Sequence, residues 1–234
     1  MSEPELLTDL REGILWLVIN RPQKANSLTL EMQVHMAEAL GRASSDQDVK
    51  AVILTASGTK TFCAGADLKE KLDSSHVERR VRQMYECCLA IVSFPKPIIA
   101  AVNGHACGSG CIFALLCDAC IAVEEATFSL PEIRTGRPTF LGMSLLSRLC
   151  GDFTARDLVL SGRRMPAAEA LQRQLVTGLF STEALHQEAF RIASNLAEYP
   201  PPAYTTNKQW LYRKYRGLIE EAAAASAMAR ATAR

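Results

Sequence analysis

Short apolar runs that alternate with segments of helical periodicity constrain the fold of this chain more than any other feature. Residues 14–20 and 50–55 are continuous apolar runs, as is typical of strands buried on both faces. Between them, from residue 29 to 44, apolar side chains recur at helical spacing, and Thr29 is a suitable N-cap. A strand, a helix and a strand in this order predict a right-handed crossover between parallel strands.

The alternation continues beyond this first unit and predicts the rest of the sheet. We expect the next elements to be a helix, a strand, a helix and a strand over residues 77–93, 98–102, 109–117 and 119–123. After Glu132 the strand signals fade, and only helices are expected, over residues 141–150, 155–160, 167–175, 182–197 and 203–234. The fold class is therefore α/β, with a mostly parallel sheet and a helical C-terminal region.

Composition and charge exclude several classes of protein. With 48% hydrophobic residues among 234, the chain can build the core of one domain and does not have the composition of a disordered protein. The 26 basic and 25 acidic side chains give a net charge of +1, so no nucleic acid partner is expected. The apolar runs are interrupted well short of the roughly 20 residues that cross a bilayer, so no membrane segment is expected.

The eight cysteines favour a reducing compartment. Several lie in apolar runs, where a free cysteine behaves as a small hydrophobic residue. Residues 1–13 lack the features of a signal peptide, so we expect a cytoplasmic protein. Cys117 and Cys120 have a spacing found in zinc sites, but with Cys107 and Cys111 they span a loop, a helix and a strand. Burial is the favoured interpretation, and no metal site is expected.

Three loops follow predicted strands, at the edge where open parallel sheets bind ligands. They comprise residues 21–26, 61–67 and 103–110, and the third leads directly into a helix. Small residues in the second and third loops allow a ligand to approach the backbone, and a helix N-terminus presents free N–H groups. Two such loops that face each other would form an oxyanion hole. Either loop alone is equally consistent with a tight turn between a strand and a helix.

Spaced motifs along the chain occur in an order that is typical of one family. They are NRP with KAN at 20–26, FCAGADL at 62–68, KPIIAAVNG at 96–104, CD at 117–118, LPE at 130–132 and SGRRMPAAEAL at 161–171. With these motifs the chain resembles the enoyl-CoA hydratase/isomerase (crotonase) family along almost its whole length. The resemblance implies a crotonase-like spiral of ββα units over residues 1–200. It also implies a C-terminal helical segment of the same domain over residues 201–234 that assembles trimers or dimers of trimers.

The resemblance further implies an acyl-CoA thioester as substrate, no resident cofactor, and a set of binding residues. The backbone N–H groups of Ala66 and Ser109 fall where the family has its oxyanion hole, although serine stands where glycine is usual. Lys24 is the favoured contact of a CoA phosphate. The predicted CoA-binding residues are Lys24, Ala25, Asn26, Ala64, Gly65, Asp67, Leu68 and Gly108.

The family's hydratases use two glutamates, of which this chain keeps one. Glu132 matches the second glutamate, whereas Ile112 stands at the first. A single base and an oxyanion hole suffice to move a double bond, so we expect Glu132 to isomerise 3-enoyl-CoA to 2-enoyl-CoA. Hydration, possible if Glu125 compensates for Ile112, and decarboxylating or carbon–carbon chemistry remain alternatives. A CoA-binding scaffold without catalysis is the alternative of another class.

The acyl pocket is expected to be narrow. Arg137 and Phe140 replace small residues that are common around this turn in the family, and Ile112 is the third predicted pocket residue. Short or unusual acyl groups are therefore expected.

Overall fold

Two sheets form the centre of the fold in a computed structural model that describes residues 4–232, with only the backbone of residue 74. The larger sheet has the order β1 (Leu6–Arg11), β2 (Ile14–Ile19), β3 (Ala51–Ala56), β5 (Ile98–Val102), β7 (Ala119–Val123) and β10 (Gly178–Phe180). The smaller sheet has the order β4 (Thr61–Cys63), β6 (His105–Cys107), β8 (Thr127–Ser129) and β9 (Met165–Pro166). Among the strands of residues 4–232, the β1–β2 and β8–β9 pairs are antiparallel and the others are parallel.

Helices cover these sheets and complete the chain. Their bounds are α1 (Leu30–Ser45), α2 (Ser74–Ser93), α3 (Ser109–Leu116), α4 (Phe140–Cys150), α5 (Asp152–Ser161), α6 (Ala167–Gln172), α7 (Leu185–Ala197) and α8 (Pro201–Thr232). Short 3-10 turns span Pro22–Lys24 and Glu132–Thr135. Each repeat of the spiral, such as β3-β4-α2 or β5-β6-α3, gives one strand to each sheet and then a helix. The predicted α/β class and parallel sheet are confirmed.

Continuous apolar runs and helix capping explain the long strands and helices. All side chains of β3 and β5 are buried, as their continuous apolar runs predict. Thr29 caps α1, because its side chain accepts a hydrogen bond from Met32 N at 3.2 Å.

The prediction of helices alone after Glu132 was wrong, and four earlier strands were missed. β9 and β10 have two and three residues, and β4, β6 and β8 have three each. Strands this short do not produce a periodic pattern in the sequence. β1 was missed because it is a largely exposed edge strand with polar residues.

Helix α8 is attached to the core by a buried ion pair. Lys208, which is 5% exposed, donates from Nζ to Asp118 Oδ2 at 2.6 Å and to Lys96 O at 3.0 Å. Tyr212 donates from its hydroxyl to Cys117 O at 3.2 Å. Burial lowers the pKa of Lys208, and Asp118 opposes that shift. The Cys117-Asp118 motif therefore holds α8 at the start of β7.

The structure leaves two predictions about the C-terminal region open. The division of the chain at residue 200 and the role of residues 201–234 in assembly remain predictions. α8 begins at Pro201, and residues 233 and 234 of the predicted helix lie outside the described residues.

The cysteines are free thiols, as expected. Burial raises the pKa of Cys63 and of Cys87 to about 12, so these thiols stay protonated in the core. Within residues 4–232 no group of three or more His, Cys, Asp or Glu side chains is arranged to hold a metal ion. In the same part of the chain, no helix combines the length and apolarity needed to cross a membrane.

Candidate active site

The second and third loops touch each other beside Glu132. A β-carbon on Gly65 would lie 3.0 Å from Cys107 O and 3.5 Å from Ser109 N, so only glycine allows this approach. A β-carbon on Gly108 would lie 3.8 Å from Gly65 Cα and 3.1 Å from Glu132 Oε1. The structure therefore brings the two small-residue loops and the 3-10 turn of Glu132 into one place.

The backbone N–H groups of Ala66 and Ser109, which are predicted to form the oxyanion hole, are not used in the hydrogen bonds of the neighbouring backbone segments. Leu28 donates to Gly65 O at 2.8 Å and accepts from Asp67 N at 2.9 Å, so the N–H of Ala66 points away from Leu28. Ser109 is the first residue of α3, and its N–H is one of the donors that a helix leaves unpaired at its N-terminus. Gly108 carries the positive φ of +56°, so Ser109 itself keeps a helical backbone.

Two buried polar atoms at this site have no partner among the described residues. They are the hydroxyl Oγ of Ser109 and the carboxyl Oε2 of Glu132. Because both lack a partner, they are not bonded to each other. A buried polar atom without a partner calls for an explanation, and a ligand atom bound at this site would supply one.

Glu132 begins the 3-10 turn that follows the buried residue Leu130. Burial raises the pKa of the Glu132 carboxyl, and the positive charge of Arg137 partly opposes this shift. A carboxyl group with a raised pKa is suited to accept and return a proton near neutral pH. The raised proton affinity of Glu132 therefore fits the role of a general base.

The three predicted pocket residues differ in their exposure. Ile112 is 3% exposed and lies one turn after Ser109 in α3, so this helix face presents no carboxylate. Phe140 is partly buried at the start of α4. Arg137 is exposed, and its Nε donates to Thr135 Oγ1 at 3.0 Å, which holds its bulk beside the turn of Glu132.

Glu125 is separated from Glu132 by the length of β8. It is exposed in the turn before β8, whereas Glu132 follows the other end of that strand.

The predicted CoA-binding residues lie on or next to the first two loops, apart from Gly108 on the third, and they vary in exposure. Lys24 and Ala25 are exposed, Leu68 is 55% exposed, and Ala64 is partly buried. Asn26 is only 1% exposed: its Oδ1 accepts from Arg21 N at 2.8 Å, and its Nδ2 donates to Ser57 O and Thr61 O at 3.0 and 2.6 Å. The side chain of Asn26 therefore joins the loops to each other.

Arg21 is a site-supporting residue that the sequence analysis missed. Its Nη1 donates to Ser27 O at 2.7 Å and to Asp67 Oδ2 at 3.0 Å. Burial acts to raise the pKa of Asp67, but hydrogen bonds from Lys69 N and Arg21 outweigh it and lower the pKa. The carboxylate of Asp67 is thus occupied by Arg21. The NRP motif was the available signal, since it places an arginine directly after a buried strand.

Comparison with known proteins assigns a family to this arrangement. The model of the family described as enoyl-CoA hydratase/isomerase matches residues 9–233. The chain belongs to the enoyl-CoA hydratase/isomerase family. It is therefore an acyl-CoA-processing enzyme, and the family name covers two different reactions.

Relatives with related sequences include proteins named as hydratases. The chain is 35% identical over 208 residues to the 2,3-dehydroadipyl-CoA hydratase of Escherichia coli K12. The alignment covers 88% of this chain and 81% of the relative. It is 36% identical over 218 residues to the short-chain-enoyl-CoA hydratase of Clostridium acetobutylicum, which covers 92% and 84%.

Solved structures of the enoyl-CoA hydratase/isomerase family share the fold. An enoyl-CoA hydratase from Mycobacterium avium subsp. paratuberculosis aligns with a TM-score of 0.87 at 29% identity, covering 97% of this chain and 92% of that one. The enoyl-CoA hydratase of Mycobacterium smegmatis aligns with a TM-score of 0.85 at 33% identity, covering 97% and 90%. The crotonase-like fold predicted from the motifs is confirmed.

Proposed function

We propose that this family member isomerises 3-enoyl-CoA to 2-enoyl-CoA, with Glu132 as its single acid–base group. The observation that carries the proposal is the pairing of one partly buried carboxyl of raised pKa with a buried isoleucine. Glu132 supplies the base, and Ile112 on the adjacent helix face has no acidic group to supply a second one. The substrate class is inferred from the family. Glu125, the other acidic residue considered, is exposed at the other end of β8.

The proposed step moves one proton and one electron pair. The Glu132 carboxylate takes a proton from C2 of the substrate, and the electrons of the broken C2–H bond delocalise onto the thioester oxygen. The N–H groups of Ala66 and Ser109 donate to that oxygen as it gains charge. The protonated Glu132 then returns the proton to C4, which moves the double bond from C3=C4 to C2=C3. The base ends the cycle ionised, as it began.

The same chain supplies every group that this step requires, so we propose that the enzyme has no resident cofactor and that CoA enters only with the substrate. Lys24, Ala25, Ala64 and Leu68 offer the exposed or partly buried surface on the two loops for the CoA moiety. Gly65 and Gly108 have no side chains, so the thioester could approach the backbone of the second and third loops.

Hydration is the second candidate, and the names of the relatives favour it. In that reaction Glu132 would have to activate water and supply the proton for C2 without a second carboxylate. Decarboxylation and a non-catalytic CoA-binding role are the further alternatives.

The test compares 3-enoyl-CoA and 2-enoyl-CoA of short and medium chain length as substrates of the wild type, Glu132→Gln and Glu125→Gln. The absorbance of the conjugated thioester is followed. We expect the wild type and Glu125→Gln to conjugate 3-enoyl-CoA and Glu132→Gln to be inactive. Rapid loss of 2-enoyl-CoA to the 3-hydroxy product, far above isomerisation, would contradict the proposal and favour hydration. CoA binding without turnover of either substrate would favour the scaffold.

We also propose that the enzyme assembles as a homotrimer or a dimer of trimers. Large apolar side chains are exposed on α8, which the sequence predicts to serve assembly, and on α4, α5 and α6; they are Trp210, Leu211, Met228, Met143, Phe153, Leu160 and Leu171. Phe153 is 85% exposed, which is unfavourable unless another surface covers it.

A cytoplasmic location is proposed from the cysteines. Free thiols are typical of a reducing compartment, and all eight cysteines of this chain are free.

A further inference from the structure

The hydroxyl of Ser109 takes no part in the proton transfer by Glu132, yet it belongs to the residue whose N–H is proposed to bind the thioester oxygen. Its Oγ is buried and has no partner in the described part of the chain, and the same is true of Glu132 Oε2. The β-carbon position of Gly108 is 3.1 Å from Glu132 Oε1, and Ser109 is the next residue in the chain. An unpaired donor and an unpaired acceptor thus occur in the same site.

An unpaired hydroxyl in this position is costly for the folded chain. A buried donor that loses its bonds to water without gaining a partner lowers stability. Alanine or glycine at position 109 would keep the backbone N–H and carry no such cost. A partner that arrives with the ligand would remove this cost.

The backbone of Ser109 determines which ligand atom the hydroxyl can reach. The nitrogen of Ser109 lies beside the second loop, because a β-carbon on Gly65 would lie 3.5 Å from it. In a staggered rotamer with Oγ gauche to N, the hydroxyl and the N–H of one serine lie close enough to share an acceptor. An oxygen atom bound by the N–H is consequently within reach of the hydroxyl.

We propose that the Ser109 hydroxyl is a catalytic residue that donates a third hydrogen bond to the thioester oxygen, beside the N–H groups of Ala66 and Ser109. The inference rests on the proposed function. The hydroxyl keeps its own proton. Its bond strengthens as the oxygen takes up the electron pair released when Glu132 removes the proton from C2, because hydrogen bonds to charged acceptors are the stronger ones.

The experiment uses Ser109→Ala and Ser109→Gly in the full chain, with Ser45→Ala at the exposed end of α1 as the matched control. The probe is acetoacetyl-CoA, whose C2 proton is lost to give an enolate with its own absorbance, so the pH at which the bound probe ionises reports on the oxyanion hole without turnover. We expect both Ser109 variants to raise that pKa by about one unit. We also expect their kcat for 3-enoyl-CoA to fall about tenfold to a hundredfold.

Stability separates this catalytic role from a structural one. Ser109→Ala removes a buried hydroxyl without a partner, so its melting temperature is expected to be equal to or above that of the wild type. Ser45→Ala is expected to leave the pKa of the bound probe and kcat unchanged.

Several results would overturn the inference. The inference fails if the bound probe ionises at the same pH in the wild type and Ser109→Ala, or if the wild type does not bind it as an enolate. It also fails if kcat falls only in variants whose melting temperature falls as well. It fails too if the pH dependence of catalysis by Glu132 shifts while the pKa of the bound probe does not, because Ser109 would then position Glu132. If the wild type does not isomerise 3-enoyl-CoA but the Ser109 variants still raise the pKa of the probe, the proposed function fails and this inference stands.

Discussion

Gly108 lies against the carboxyl group of Glu132: a β-carbon at position 108 would lie 3.1 Å from Glu132 Oε1, so a side chain there would require the carboxyl group to shift. Gly108 also has a φ of +56°, which is unfavourable for other residues. One glycine therefore shapes the backbone before the helix that begins at Ser109 and leaves room for the carboxyl group.

Replacement of Gly108 by alanine is expected to lower kcat strongly and to destabilise the fold by about 1 kcal/mol or more, because the new methyl group displaces Glu132 and the φ angle is strained. Gly217→Ala is the matched control, since no atom lies within 4 Å of its β-carbon position in α8. That variant is expected to gain about 0.5–1 kcal/mol from helix propensity. Denaturant unfolding and steady-state kinetics measure both. Full activity of Gly108→Ala would contradict this description of the site.

Replacement of Asp67 by asparagine is expected to cost about 1–3 kcal/mol at neutral pH, because the bond from Arg21 loses its charged acceptor. The folded pKa of Asp67 is lowered, so its contribution is present above the unfolded pKa of about 3.9 and is lost as the pH falls through the folded value. The difference in unfolding free energy between wild type and variant should therefore shrink in acid. A difference that does not vary with pH would exclude this role for the carboxylate.

Glu132→Gln is expected to be more stable than the wild type at neutral pH while it is inactive. Because the folded pKa of Glu132 is raised, folding favours the protonated form of this side chain. Its contribution to the unfolding free energy is fully present below the unfolded pKa of about 4.3 and is lost as the pH rises through the folded pKa. The gain of the glutamine variant should thus be present at pH 7 and vanish near pH 4. Chemical unfolding at both pH values measures it, and a glutamine variant that is less stable at pH 7 would argue against a buried base.

Replacement of Phe153 by glutamate is expected to disrupt assembly, because a charge would replace an apolar side chain of α5 that is 85% exposed. Sedimentation should give the wild type three or six times the chain mass of 25.6 kDa, and the variant a lower multiple. Glu31→Gln, on the exposed side of α1, serves as the control. A wild type that sediments as a single chain would contradict the proposed trimer.

The sequence predicted the elements that carry a periodic pattern and missed those that do not. α1 with its Thr29 cap, and the buried strands β3 and β5, follow from apolar spacing over six or more residues or from continuous runs. β4, β6 and β8 have three residues each, so their pairing is specified by distant strands and leaves no local signal.

The site was predicted in its parts but not in its contacts. The motifs identified Glu132, and the structure accounts for its raised pKa by burial. The use of the Asp67 carboxylate by Arg21, 46 residues away, and the unpaired hydroxyl of Ser109 depend on how the loops meet. No pattern within one loop could have revealed them.

The most direct test of the central claim follows one atom of the substrate. 3-Enoyl-CoA that carries deuterium at C2 is incubated with the wild type and with Glu132→Gln, and the position of the label in the product is determined by nuclear magnetic resonance. If Glu132 is the single base, the wild type forms 2-enoyl-CoA with part of the deuterium transferred to C4, and Glu132→Gln forms none. A 3-hydroxyacyl-CoA as the main product, or the same label transfer by Glu132→Gln, would contradict the account.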